Sequence, residues 1–142
     1  MHYQKGRRAA AITAATLAAM LAAETINAKS GPGEWKAPPR EENRPNPIPA
    51  DAKSVAAGKS LYVKHCIACH GMGGRGDGAE GRDLEPPPAD LTSAEVAAES
   101  DGGLHWKIAE GRRPMPSSRR TLSDDERWHV INYIRTLHPK QK

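Results

Sequence analysis

Residues 64–71 read KHCIACHG and contain both cysteines of the chain, Cys66 and Cys69. Two residues separate the thiols, and His70 follows at once. Three chemistries use such a spacing. The pair can contribute to a zinc site, cycle as a dithiol, or form thioethers to the vinyl groups of a haem while the adjacent imidazole is delivered to iron. The remainder of the chain has to decide among them.

A structural zinc needs four ligands, usually in two closely spaced pairs. The second pair would have to come from His105, His129 or His138, which are scattered. A redox-active dithiol is expected between a strand and a helix of a βαβ unit. Here the motif follows a helical pattern and opens a glycine-rich stretch. The haem reading uses every feature: Cys66 and Cys69 as covalent anchors and His70 as proximal ligand. His65 reads as a surface residue.

The surroundings favour that choice. Lys5, Arg7 and Arg8 precede an uncharged run from Ala9 to Ala23 that ends at Glu24. A membrane span needs about 20 strongly apolar residues, so residues 1–28 read as a secretory signal with INA (26–28) as the cleavage site. An uncleaved anchor is the alternative, and only then would the chain meet a membrane. Either way the location implied is periplasmic, where covalent haem attachment belongs.

Residues 29–50 hold six of the 12 prolines. Proline fixes φ and removes a donor, so this segment is expected to be an extended, solvated linker that spaces or wraps, with Trp35 as a candidate pin. Residues 51–142 are then the domain. They contain no Phe, and aromatics make up 4% of the whole chain. A domain this small is marginal without a staple or cofactor, so a bound group is expected to complete the core. Its charge is 14 basic against 13 acidic residues, a net of +1. The overall pI of about 9.2 therefore gives no reason to expect nucleic acid, and no aromatic–basic stacking platform is present.

Strand patterns are nearly absent, and the fold class is all-α. Helices are expected over Ser54–His65, Ser93–Glu99 and Gly102–Glu110, the last stopped by Gly111. The C-terminal helix is the clearest. Ser123 followed by Asp124, Asp125 and Glu126 reads as a capping box with acids in the first turn. Trp128, Val130, Ile131, Ile134 and Leu137 recur at helical spacing until Pro139.

A second axial ligand has few candidates. Met1 and Met20 lie in the signal. Met72 stands two residues past His70, and a segment that short reaches at most about 7 Å, too little to pass round a macrocycle. Met115 remains, held between Pro114 and Pro116; His105 and His129 are the runners-up.

At this point the chain resembles class I cytochrome c of the small bacterial single-haem kind. GKSLYVKHCIACHG (58–71), LHWKIAEGRRPMP (104–116) and LSDDERWHVINYIRTL (122–137) are similar to its N-terminal helix, ligand-loop segment and C-terminal helix, in that order. The resemblance implies three to four helices and long loops around one covalent haem c, with Gly58 letting the terminal helices cross against Val130 and Tyr133. It places Met115 as distal ligand. It also makes a proline carbonyl of LEPPPADL, Pro88 before Pro87, the acceptor for His70 Nδ1–H. The implied function is an electron carrier with no catalytic side chain. A haem c subunit of a larger oxidoreductase and a peroxidase-like enzyme with His105 as distal group are the alternatives. Redox partners would dock near Arg112, Arg113, Arg119 and Arg120, a cluster that fits an acidic patch on the donor or acceptor.

Overall fold

The computed structural model describes residues 35–138. The expected signal and its boundary, residues 29–34 and Pro139 lie outside the described residues. Among the described residues six helices follow one another: α1 Pro39–Glu42, α2 Ala52–His65, α3 Ile67–His70, α4 Ala94–Ala98, α5 Asp101–Glu110 and α6 Asp124–Arg135. Among the described residues there is no strand, only an isolated bridge between Arg112 and Met115.

Side-chain caps set the helix starts, because the first backbone N–H groups of a helix lack internal partners. Asp51 Oδ1 accepts from Ser54 N at 2.7 Å, and Ser100 Oγ accepts from Gly103 N at 2.9 Å. The box at Ser123 is reciprocal: its hydroxyl accepts from Glu126 N, and the Glu126 carboxylate accepts from Ser123 N. Helix α6 ends at Arg135, short of Leu137, through Thr136 and Leu137 N–H groups that turn back to Tyr133 and Ile134 carbonyls.

The frame of the domain is the packing of α2 on α6. Gly58 makes it close: a Cβ there would lie 1.9 Å from the His129 carbonyl oxygen and 3.0 Å from Tyr133 Cβ. The expected contact at Gly58 thus falls on His129 and Tyr133, with Val130 beside them in the core. Tyr62, Val130, Tyr133, Ile134 and Leu122 form one apolar cluster, and Trp128, Ile131, Leu104 and Val96 a second. Burying each large side chain contributes about 1.5–3 kcal/mol, so the crossing supplies much of the domain's cohesion.

Residues 35–50 differ from the solvated spacer that their prolines suggest. They form a strap that packs against α5 and α6. Ala37 is buried, α1 lies on α5, and Gly102 lets the strap approach, since a Cβ there would meet the Glu41 carbonyl oxygen at 2.1 Å. Ser100 Oγ donates to the Glu42 carbonyl at 2.6 Å, Arg44 pairs with Asp124 at 2.6 Å, and Asn46 donates to Asn132 Oδ1 at 2.8 Å. Asn132 in turn donates to Ile48 and Pro49 carbonyls and to Ser54 Oγ. Proline content predicts local conformation; these long-range polar contacts decide that the segment is packed.

Candidate functional site

Helix α3 is a single turn that brings Cys66, Cys69 and His70 together. The Cys66 carbonyl accepts from His70 N at 2.9 Å, closing the turn, and residues three and four apart share one helix face. Both thiols are free and half-buried. Burial, helped by the neighbouring Cys69, pushes the Cys66 thiol up to about 11. Burial also lowers His70 below the usual imidazole value, against the opposing effect of its hydrogen bond to Ala89.

The glycine-rich loop 71–81 folds back over this turn and satisfies its carbonyls. Gly76 N donates to His70 O at 2.9 Å, Gly78 N to Cys69 O at 3.1 Å and Glu80 N to Ala68 O at 2.9 Å. The contact is close enough to need glycine, since a Cβ on Gly78 would lie 2.3 Å from Ala68 O. Tyr62 Oη, from α2, donates to Gly71 O at 2.8 Å and fixes the loop's start; burial drives that phenol's pKa upward.

The same loop positions the segment that orients His70. Leu91 N donates to Gly74 O at 2.6 Å, and Gly76 packs on the Pro88 carbonyl, which a Cβ would approach to 2.4 Å. With Pro88 O turned to Gly76, the next carbonyl faces the imidazole: His70 Nδ1–H donates to Ala89 O at 3.2 Å. The acceptor is therefore Ala89, and the expectation of Pro88 is corrected by one residue. An Nδ1–H held in this way leaves Nε2 as the unprotonated nitrogen, the tautomer that can ligate a metal. Two free thiols and an oriented imidazole on one turn fit a covalently attached haem. A zinc site does not fit, for no group of three or more His, Cys, Asp or Glu side chains converges among the described residues.

Met115 lies in the loop 111–118 after α5 and is partly buried, whereas Met72 is 61% exposed. Its N–H donates to Arg112 O at 2.9 Å. Gly111 turns the chain with φ of 65°, and Ser117 and Ser118 hydroxyls return to the Ala109 and Ile108 carbonyls at 2.6 and 2.7 Å. The two runners-up are committed elsewhere. His105 is buried and stacked on Trp128 at 4.0 Å; its Nε2 lies 3.2 Å from Asp124 Oδ1 and 3.3 Å from Arg127 Nε, and its Nδ1 lies 3.5 Å from Arg44. His129 Nδ1 is 2.8 Å from Ser54 Oγ.

Arg112, Arg113, Arg119 and Arg120 are all exposed. Arg119 is paired with Glu110, which lowers that carboxyl, and Arg112 lies over the ring of Trp35.

The helical fold and the CIACH turn define a c-type cytochrome, an electron-transfer protein with covalently bound haem c. Residues 53–134 match the family model described as cytochrome c oxidase, cbb3-type, subunit III, and the chain belongs to that family. Curated relatives include a thiosulfate dehydrogenase of Stutzerimonas stutzeri (33% identical, over 62% of this chain and 29% of the relative) and one of Allochromatium vinosum (37%, over 58% and 31%). The chain thus spans about a third of the length of these relatives. Among solved structures it is similar to a chain of the Kuenenia stuttgartiensis reducing HAO-like protein complex Kustc0457/Kustc0458, with a TM-score of 0.57, 29% identity, and coverage of 66% of this chain and 47% of that one. It is also similar to the KustC0563 c-type cytochrome, with a TM-score of 0.50, 26% identity, and coverage of 58% and 98%.

Proposed function

We propose that the chain carries one haem c, attached through Cys66 and Cys69 and held axially by His70 and Met115, and relays single electrons between periplasmic partner proteins. The observation that supports His70 as a ligand is its hydrogen bond to Ala89, which orients the ring and raises its basicity as second partners of metal-bound histidines do. When bound, the haem iron would supply a one-electron couple, and a methionine ligand would raise its potential relative to a histidine pair. The chain's own part is to hold, orient and shield: thioethers from Cys66 and Cys69, a fixed imidazole at His70, and a thioether from Met115 on a loop returned to α5. No side chain acts as acid, base or nucleophile.

A periplasmic location is supported by the basic residues before the apolar run 9–23. Among the described residues no helix is long and apolar enough to cross a membrane. Service as the haem c subunit of a larger oxidoreductase is the second reading, favoured by relatives about twice as long that bear the name thiosulfate dehydrogenase. A peroxidase-like role has less support, since His105 is enclosed by Asp124, Arg127 and Arg44.

Met115→Ala tests the ligand set. It should leave haem attached, lower the potential, and admit cyanide or carbon monoxide to the iron; a parent protein that already binds both freely, without a thioether–iron absorption band, would refute His/Met ligation.

The arginine cluster is proposed as the docking face for an acidic partner, because a positive surface accelerates encounter in a salt-dependent way. Arg119→Glu with Arg120→Glu should slow association with the partner, most at low ionic strength, and leave the potential nearly unchanged. Each replacement changes the local charge by two units, and Arg119→Glu also unpairs Glu110, so each single variant should give a part of the loss. An unchanged rate and salt dependence would remove the steering role.

A further inference from the structure

The indole of Trp35 gathers cations from two segments. Lys107 Nζ lies 5.6 Å from its ring centroid and Arg112 Cζ lies 5.0 Å away. Lys107 belongs to the last turn of α5 and is ion-paired with Glu99 at 2.5 Å. Arg112 opens the Met115 loop, its carbonyl accepting the Met115 N–H at 2.9 Å. The ring therefore joins a fixed helix end to a loop. Behind it the strap is secured independently, by burial of Ala37 and by the Ser100–Glu42 and Asn46–Asn132 hydrogen bonds. An aromatic ring tethered in this way cannot follow the loop outward, and cations within about 6 Å of a ring face are attracted to it.

We infer that Trp35 is a positioning residue, which holds Arg112 so that the Met115 loop stays closed and thereby sets how readily the methionine leaves the iron. The inference rests on the reading of Met115 as distal ligand. Opening the loop breaks the Arg112–Trp35 contact, so that contact shifts the closed–open equilibrium toward closed by about 2- to 5-fold.

The experiment compares the haem-loaded parent with Trp35→Ala, Trp35→Phe and Arg40→Ala, the last an exposed strap residue outside the contact. Two readouts apply: hydrogen exchange at the Met115 and Ser118 amides, and the alkaline pH midpoint at which the thioether–iron band disappears. In Trp35→Ala both amides should exchange about 2- to 5-fold faster and the midpoint should fall by about 0.3–0.7 pH units, tenfold corresponding to one unit. Amides of α2 and α6 should be unchanged, Trp35→Phe should restore most of both effects, and Arg40→Ala should match the parent. Unchanged exchange at Met115 and Ser118, or a rise shared equally by α2 and α6, would overturn the inference. Should the parent lack the band, the ligand reading falls and the iron half of the inference falls with it, while the exchange comparison still decides whether Trp35 braces the loop.

Discussion

Loops 71–81 and 111–118 begin alike and are held differently. Each opens with a glycine at positive φ, 76° at Gly71 and 65° at Gly111, and each returns over the helix it has just left. Loop 71–81 meets the carbonyls of α3 with its own backbone N–H groups, at Gly76, Gly78 and Glu80. Loop 111–118 meets the carbonyls of α5 chiefly with the hydroxyls of Ser117 and Ser118, and borrows an outside support in Trp35. At Gly76 and Gly78 the main chains approach so closely that a Cβ would lie within 2.4 Å of a carbonyl oxygen, so little besides glycine fits there. In loop 111–118 the two hydroxyls add to the backbone bond from Ser118 N to Ile108 O at 3.2 Å, and single substitutions can adjust them. The cysteine and histidine side thus gets a rigid seat and the methionine side an adjustable one.

The largest break in that contrast should come from Gly78→Ala. Its Cβ would lie 2.3 Å from Ala68 O and 2.6 Å from the Cys69 carbonyl carbon, where no flexible side-chain end can yield. Overpacking of this kind costs about 1–3 kcal/mol, and displacement of the CIACH turn should also lower the ratio of attached haem to protein. Thermal unfolding and that ratio are the measurements; a variant matching the parent in both would mean that the seat is not rigid.

A smaller effect is expected for Ser118→Ala, which removes the hydroxyl donor to Ile108 O at 2.7 Å. The cost should be about 1 kcal/mol, the usual net value of one hydrogen bond. Amide exchange should rise within 111–118 and stay at parental rates at Gly76 and Gly78. Equal rises in both loops would erase the distinction between them.

The smallest effect should come from acid acting where the strap meets α6. His105 is lowered by burial and by the charges of Arg127 and Arg44, with Asp124 opposing. At Asp124 burial works against ionisation, but hydrogen bonds from Arg44 and Arg127, with His105 nearby, outweigh it and hold the carboxyl low. Both groups contribute stability that is complete above their ordinary values of 6.5 and 3.8 and is lost as pH falls through their lower values in the folded chain. The unfolding midpoint should therefore drop gradually below neutrality, and Asp124→Asn should flatten the lower part of the curve. A parent profile level from pH 7 to pH 3 would count against this account.

What could be read in advance was local. The Ser123 box and the stop at Gly111 each depend on residues within a few positions, and each stands where expected. The missing pieces depend on distant backbone. Whether Pro88 or Ala89 faces His70 is decided by Gly76 seating against the Pro88 carbonyl, a contact across 12 residues of chain that no local pattern encodes. The strap was hidden for a similar reason: its prolines describe an extended chain, while its packing is set by the missing side chain of Gly102 and by Ser100, Asp124 and Asn132 far along the sequence. Trp35 shows both sides of this, visible as a candidate pin but with partners that only the fold reveals.

The α2–α6 crossing also bears on the order of assembly. The turn carrying Cys66, Cys69 and His70 is complete in chain order at residue 70, whereas the helix that closes over Gly58 begins at Asp124. Contacts so distant in sequence form late, because loop closure has to precede them. A chain emerging N-terminus first therefore presents both thiols while the C-terminal helix is still unmade. Cys66 packs against the cluster that α6 completes, so under the proposed attachment the interval before α6 docks is when that thiol is least covered.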